Sequence, residues 1–217
     1  MQNNFLKNPQ LDGKSFFLEG DKDTCIILIH GFTATTVEVR PLSEHLNQVG
    51  LTTYAPLLPG HGTKPEDLYK IKWKNWVDEV VRIYENCSSE YQEVFIGGES
   101  MGGVIACYMA ATFRNISGLL LFAPAIIVEN LKYSSYLRFF KKEIPKKPSN
   151  NNANKEIFPW QGYDVYPTNA AFQFLQLQRI TKNKLSSISQ PTIIFQGKYD
   201  KTISPEGPTL IYDKIQS

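Results

Sequence analysis

Gly98-Glu99-Ser100-Met101-Gly102 fits the pattern G-x-S-x-G, and its neighbours say what that could do. The pentapeptide follows an apolar run, Glu93 to Gly97, that reads as a strand. It opens a run of small and apolar residues, Gly103 to Phe113, that reads as a helix. A strand, a sharp turn and a helix are what it takes to hold a serine hydroxyl clear of its neighbours as a nucleophile. Gly98 and Gly102 lack side chains, so the turn can close and the helix can lie near the strand.

A serine hydroxyl is a weak nucleophile until a base takes its proton. The three histidines are His30 in HGF (30–32), His45 on the polar face of a surface helix, and His61 in LPGHG (58–62). None follows His61, and only residues 201–217 lie beyond Asp200, which itself follows the apolar run Thr192 to Phe195. Cys25, Cys87 and Cys107 sit in apolar settings without paired spacing for zinc or a disulfide framework, and free buried thiols are expected.

Positioning these groups requires a scaffold, and the chain alternates short apolar runs with longer amphipathic ones, as a mostly parallel sheet covered by helices does. Cys25 to Ile29 (CIILI) predicts a strand buried on both faces. Val37 to Val49 predicts a helix stopped by Gly50, Leu51 to Ala55 a short strand, and Trp73 to Asn86 a covering helix. Leu119 to Phe122 and Thr192 to Phe195 complete the strands. The stretch between them is too long for a simple crossover and predicts an inserted cap. Within it, Leu131 to Phe140 reads as helical, while KKEIPKKPSNNNANKE (141–156) reads as a mobile loop whose lysines are solvated.

HGF (30–32), LPGHG (58–62), GESMG (98–102) and PTIIFQGKYDKTI (191–203), in this order, resemble the α/β-hydrolase superfamily, and more narrowly its small bacterial carboxylesterases and monoacylglycerol lipases. The resemblance implies an α/β fold, with a mostly parallel sheet flanked by helices. It divides the chain into a core, 1–123 and 191–217, and a cap, 124–190. It also implies Ser100 as nucleophile, Asp200 as the acid of a triad, and the backbone N–H groups of Phe32 and Met101 as an oxyanion hole. His30 would shape the oxyanion loop. His61 would fix a loop near the pocket, with substrate contact as a second reading. Phe32, Tyr136 and Phe139 would wall an acyl pocket.

In such relatives the triad histidine lies after one more helix and strand, so the resemblance implies that this sequence lacks its last strand, its closing helix and the base. Rescue by His30 or His61 is disfavoured because HG and LPGHG already account for both. The implied reaction is hydrolysis of short- or medium-chain acyl esters or monoacylglycerols through an acyl-enzyme on Ser100. The alternative is a catalytically impaired or vestigial protein on the same scaffold. A dehalogenase or epoxide hydrolase is disfavoured, since those carry aspartate where Ser100 stands.

Composition bounds the partners. With 23 basic and 21 acidic residues, net charge is +2, too balanced to imply nucleic acid. The absence of a leader-like or membrane-spanning apolar run predicts a cytoplasmic protein without stable membrane insertion. No metal or organic cofactor is implied, and a small-molecule ester is the expected partner. An uncovered sheet edge predicts self-association, which a monomer by light scattering at high concentration would exclude.

Overall fold

The computed structural model describes residues 5–146, 160–200 and 202–217. Six strands form one sheet in the order β1-β3-β2-β4-β5-β8: β1 (Phe16–Leu18), β2 (Thr24–Ile29), β3 (Thr52–Ala55), β4 (Glu93–Glu99), β5 (Gly118–Phe122) and β8 (Thr192–Phe195). Only β1 runs antiparallel, against β3; the other pairings are parallel. Parallel strands all end at one edge, and in open sheets that carboxyl edge is where sites form. Phe32 follows β2, Ser100 follows β4 and Asp200 follows β8, so the topology delivers three distant sequence positions to a common edge.

The continuous apolar runs exist because both faces of the central strands are covered. Cys25, Ile27 and Ile29 enter one core cluster, whereas Ile26 and Leu28 enter another. On the larger side pack α2 (Trp73–Glu90), α3 (Met101–Thr112) and α5 (Thr168–Lys184), and on the smaller side α1 (Arg40–Gln48). The face of α2 built from Trp76, Val77, Val80, Ile83, Tyr84 and Cys87 is buried, at about 1.5–3 kcal/mol for each large side chain removed from water. All three cysteines are buried free thiols, as expected. Cys25 and Cys87, with sulfurs 3.3 Å apart, stand at the amino end of β2, the opposite edge from Ser100.

Several expected boundaries shift for local reasons. The helix expected from Val37 is divided into a 3-10 turn, Thr36–Glu38, and α1, which begins with Pro41 in its first turn. The helix after the serine starts at Met101, two residues earlier than expected, because Ser100 itself occupies the N-cap. Leu131 to Phe140 is helical only in short pieces, a 3-10 turn Glu129–Tyr133 and α4 (Ser134–Leu137).

Part of the expected mobile loop is ordered: β6 (Glu143–Pro145) pairs with β7 (Val165–Pro167), and Glu143 accepts a hydrogen bond from the Tyr69 hydroxyl. Lys146 is likewise half-buried rather than solvated, while residues 147–156 of that expectation lie outside the described residues. Among the described residues, the long segment between β5 and β8 packs into the main core rather than forming one of its own. Ala170, Phe174 and Leu177 of α5 belong to the main cluster. Past β5 the α1 side of the sheet is thinly covered, leaving Ile193 and Phe195 of β8 exposed by 54% and 50%. Among the described residues, no helix is long and apolar enough to cross a membrane.

Candidate active site

Ser100 has φ 55 and ψ −110, a backbone conformation that L-residues rarely adopt. Such a position costs about 1–3 kcal/mol and persists only when the surroundings enforce it. They do. The Ser100 N–H donates to the Phe122 carbonyl at 2.9 Å, and the Ser100 carbonyl accepts from Ala125 N at 3.0 Å, so the end of β5 grips the turn on both sides. A Cβ on Gly98 would stand 2.3 Å from the Gly102 carbonyl carbon, and one on Gly102 would stand 2.1 Å from the Ile29 oxygen. The two glycines therefore let α3 touch β4 and β2 directly, which aims Ser100 at the carboxyl edge.

Met101 opens α3, so its N–H has no acceptor inside the helix. The loop after β2 passes the serine closely: a Cβ on Gly31 would lie 3.4 Å from Ser100 Cβ. The next residue is Phe32, whose ring meets Tyr166 (6.3 Å between centroids), Phe174 (5.6 Å), Trp76 (6.2 Å) and His61 (6.4 Å). The N–H groups of Phe32 and Met101 are thus carried by two backbone segments that flank Ser100.

His30 is buried with both ring nitrogens engaged. Nε2 accepts from Leu58 N at 3.0 Å, so Nδ1 carries the proton and donates to the Gly31 carbonyl at 2.9 Å. Burial lowers its pKa to about 4, and the ring is a neutral brace between the HGF and LPGHG loops. His61 is also held neutral, first by burial and then by His30, and its Nδ1 donates toward the carbonyls of Leu58 and Pro59 at 3.2 and 3.3 Å. Its buried Nε2 has no hydrogen-bond partner among the described residues. Neither ring is poised to shuttle a proton at neutral pH, and His45 is exposed on α1.

Asp200 is fixed by its own loop. Its Oδ1 accepts from Thr202 N at 2.8 Å and Ile203 N at 3.0 Å, and its Oδ2 accepts from Gln196 Nε2 at 3.1 Å. The cysteines are not competing nucleophiles: burial raises Cys107 to about 12, and the bond shared with Cys87 together with burial raises Cys25 further. Tyr136 and Phe139, expected as pocket walls, are instead 73% and 70% exposed on the outer side of the cap segment. Of the rings gathered around Phe32, His61 was expected near the pocket, whereas Trp76 of α2, Phe174 of α5 and Tyr166 of β7 were missed because only the fold brings them together.

Glu99, next to Ser100 in the chain, lies within reach of the charges of Glu38 and Asp200. Glu99 is raised from its ordinary 4.5 to about 8 by burial first, then by the charges of Glu38 and Asp200. A group that binds its proton more tightly folded than unfolded favours the fold at low pH. Its contribution is complete below about 4.5 and is lost as pH rises through about 8. Thermal melting temperature should fall between pH 5 and pH 9, and Glu99→Gln should reduce that slope. Glu38 is raised too, again by burial, so the slope should shrink rather than vanish. An unchanged slope in the variant would rule out this environment for Glu99.

A serine on a strained strand-to-helix turn, with paired backbone donors beside it and an acid on a later strand of the same sheet edge, defines an α/β-hydrolase of the esterase and lipase type. The chain belongs to the family described as serine aminopeptidase S33, whose model matches residues 20–158. It is 30% identical over 213 residues to a thermostable monoacylglycerol lipase of Bacillus sp. (strain H-257), covering 96% of this chain and 83% of that protein. A carboxylesterase of Bacillus subtilis (strain 168) is 31% identical over 210 residues, covering 94% and 82%. Among solved structures, one described under LipS and LipT, two metagenome-derived lipolytic enzymes, superposes with a TM-score of 0.86 at 24% identity, covering 94% of this chain and 84% of that one. The monoacylglycerol lipase of Paleococcus ferrophilus gives 0.76 at 16% identity, covering 95% and 85%, a likeness of fold.

Proposed function

We propose that Ser100 is the acyl-accepting nucleophile of a hydrolase of carboxylic esters, short- or medium-chain acyl esters or monoacylglycerols. The observation that carries the reading is the Ser100 backbone, held at φ 55 against the Gly31 loop. Ser100 Oγ attacks the ester carbonyl, and the N–H groups of Phe32 and Met101 receive the oxyanion. In such sites the loss of one donor costs about 3–4 kcal/mol of transition-state stabilisation. A general-base histidine would take the Ser100 proton and return it to the departing alcohol, and would then take a proton from the water that releases the acid from Ser100. Asp200 serves as the acid that orients a general-base histidine. His30 and His61 are taken up in bracing the HGF and LPGHG loops and His45 lies exposed on α1, so none of the three is assigned as that histidine, and the impaired or vestigial protein is the alternative.

The curated relatives, a monoacylglycerol lipase and a carboxylesterase, support an ester over other acyl substrates. Two assays test the reading: hydrolysis of nitrophenyl esters and monoacylglycerols of graded acyl length, and intact mass after fluorophosphonate treatment. Esters of one acyl-length range should turn over, and Ser100→Ala should abolish that turnover. One adduct should form, at Ser100. Absence of both turnover and adduct would favour the impaired or vestigial reading.

A further inference from the structure

We propose that Lys146 and Trp160, which pack on each other and bond to Thr33 and Glu38 respectively, form a latch that holds the oxyanion loop Gly31–Ala34 in its working shape, with Lys146 as a positioning residue. The inference rests on the reading of Phe32 as an oxyanion donor. It concerns how that donor is fixed.

Two residues of the loop, Gly31 and Thr33, are held from outside it, and Thr33 in turn holds Phe32. The Gly31 N–H donates to Glu38 Oε2 at 2.8 Å, and the other oxygen, Oε1, accepts from Trp160 Nε1 at 2.8 Å. One carboxylate therefore ties the loop to a residue far along the chain. Thr33 Oγ1 donates to the Phe32 carbonyl at 2.6 Å and accepts from Lys146 Nζ at 2.7 Å. The Thr33 carbonyl accepts from Tyr163 N at 2.8 Å. Thr33 is itself buried at φ 63, a left-handed position unfavourable for a β-branched residue. The loop does not adopt this shape by local preference, so the outside contacts enforce it.

The Phe32 N–H belongs to the peptide between Gly31 and Phe32, and both adjoining peptides are pinned by these bonds. Rigid placement of such donors is what makes them effective, because they need no reorganisation when charge develops. A displacement of about 1 Å in a positioning group can cost on the order of 100-fold in rate.

Lys146 suits the role by shape and charge together. Its ammonium lies 4.6 Å from the Trp160 ring centre and 4.9 Å from that of Tyr166, whose ring in turn lies parallel to Phe32. Glu38 and Asp164 face it with negative charge and Lys7 with positive charge. An uncharged side chain of similar length would keep the packing on the rings and lose the bond to Thr33.

The test uses the whole chain, with Lys146→Met, Lys146→Arg and Trp160→Phe compared with wild type. Amide hydrogen exchange of residues 32–34 is measured beside ester turnover. In Lys146→Met those amides should exchange at least about tenfold faster while α3 and the sheet keep their protection. The kcat should fall about 10–100-fold with KM within about twofold, and Lys146→Arg should recover most of the loss. Trp160→Phe, which removes the donor to Glu38, should loosen the same amides and keeps the test decisive if Lys146→Met does not fold. Wild-type exchange at 32–34 in the folded variants overturns the latch, as does a loss confined to KM. If wild type neither turns over esters nor takes the fluorophosphonate, the ester reading fails. The exchange comparison still decides the latch.

Discussion

Replacing Ser100 by glycine should leave a protein that is inert and yet more stable than its alanine counterpart. Both variants remove the hydroxyl, so both should lose the fluorophosphonate adduct and about 10⁴–10⁶-fold in ester turnover, leaving only what binding and the oxyanion donors provide. They differ in the backbone. Alanine keeps a Cβ at φ 55, whereas glycine reaches that region without steric cost. The strain, about 1–3 kcal/mol, is offset in part by the greater chain entropy of unfolded glycine, about 0.5–1 kcal/mol. Ser100→Gly should therefore exceed Ser100→Ala by about 1 kcal/mol in urea-denaturation stability. Equal stabilities would mean that the turn is relaxed and that Ser100 is not strained.

Gly102→Ala should be the most damaging single methyl in the molecule. The added Cβ would stand 2.1 Å from the Ile29 oxygen, 2.7 Å from its carbon and 3.0 Å from the His30 oxygen, all backbone atoms. Strand β2 is paired on both sides, by β3 and β4, and cannot retreat. Helix α3 must move instead, carrying the Met101 N–H away from Ser100. A loss of about 3 kcal/mol or more is expected, at the upper end of what overpacking costs, together with loss of turnover. Gly197→Ala supplies the comparison near the same edge: its nearest contact is Asp200 Cβ at 3.9 Å, and it should be neutral or slightly stabilising. Similar behaviour of the two variants in thermal melts would contradict the close contact of α3 with β2.

Ser100 and its turn were legible because the requirement is local: a strand, two residues without side chains, a serine and a helix, all contiguous. The central strands were legible for a related reason. CIILI is apolar throughout because alternate residues enter different cores, and that burial on both faces leaves no alternation to misread. Helix α5 was not recognised. Its buried face includes Thr168, Gln178 and Thr181 among the apolar residues, which blurs the helical period, and only packing against α3 makes those positions interior. β1 escaped notice as three residues whose pairing with β3 depends on a partner far along the chain.

The sequence by itself determined the strand-serine-helix turn, the order of the motifs and the class of fold, since each motif is written in residue types within a few positions of one another. The tertiary structure decided what holds and surrounds the oxyanion loop. Lys146 reads as one more lysine in a polar stretch, and Glu38 as an ordinary residue near a helix start. Their partners lie 113 and 122 positions away, at Thr33 and Trp160. Composition and periodicity report on near neighbours and on burial. Which buried donor meets which acceptor is settled only when the parallel sheet brings its strand ends to one edge and β6 and β7 lie against it.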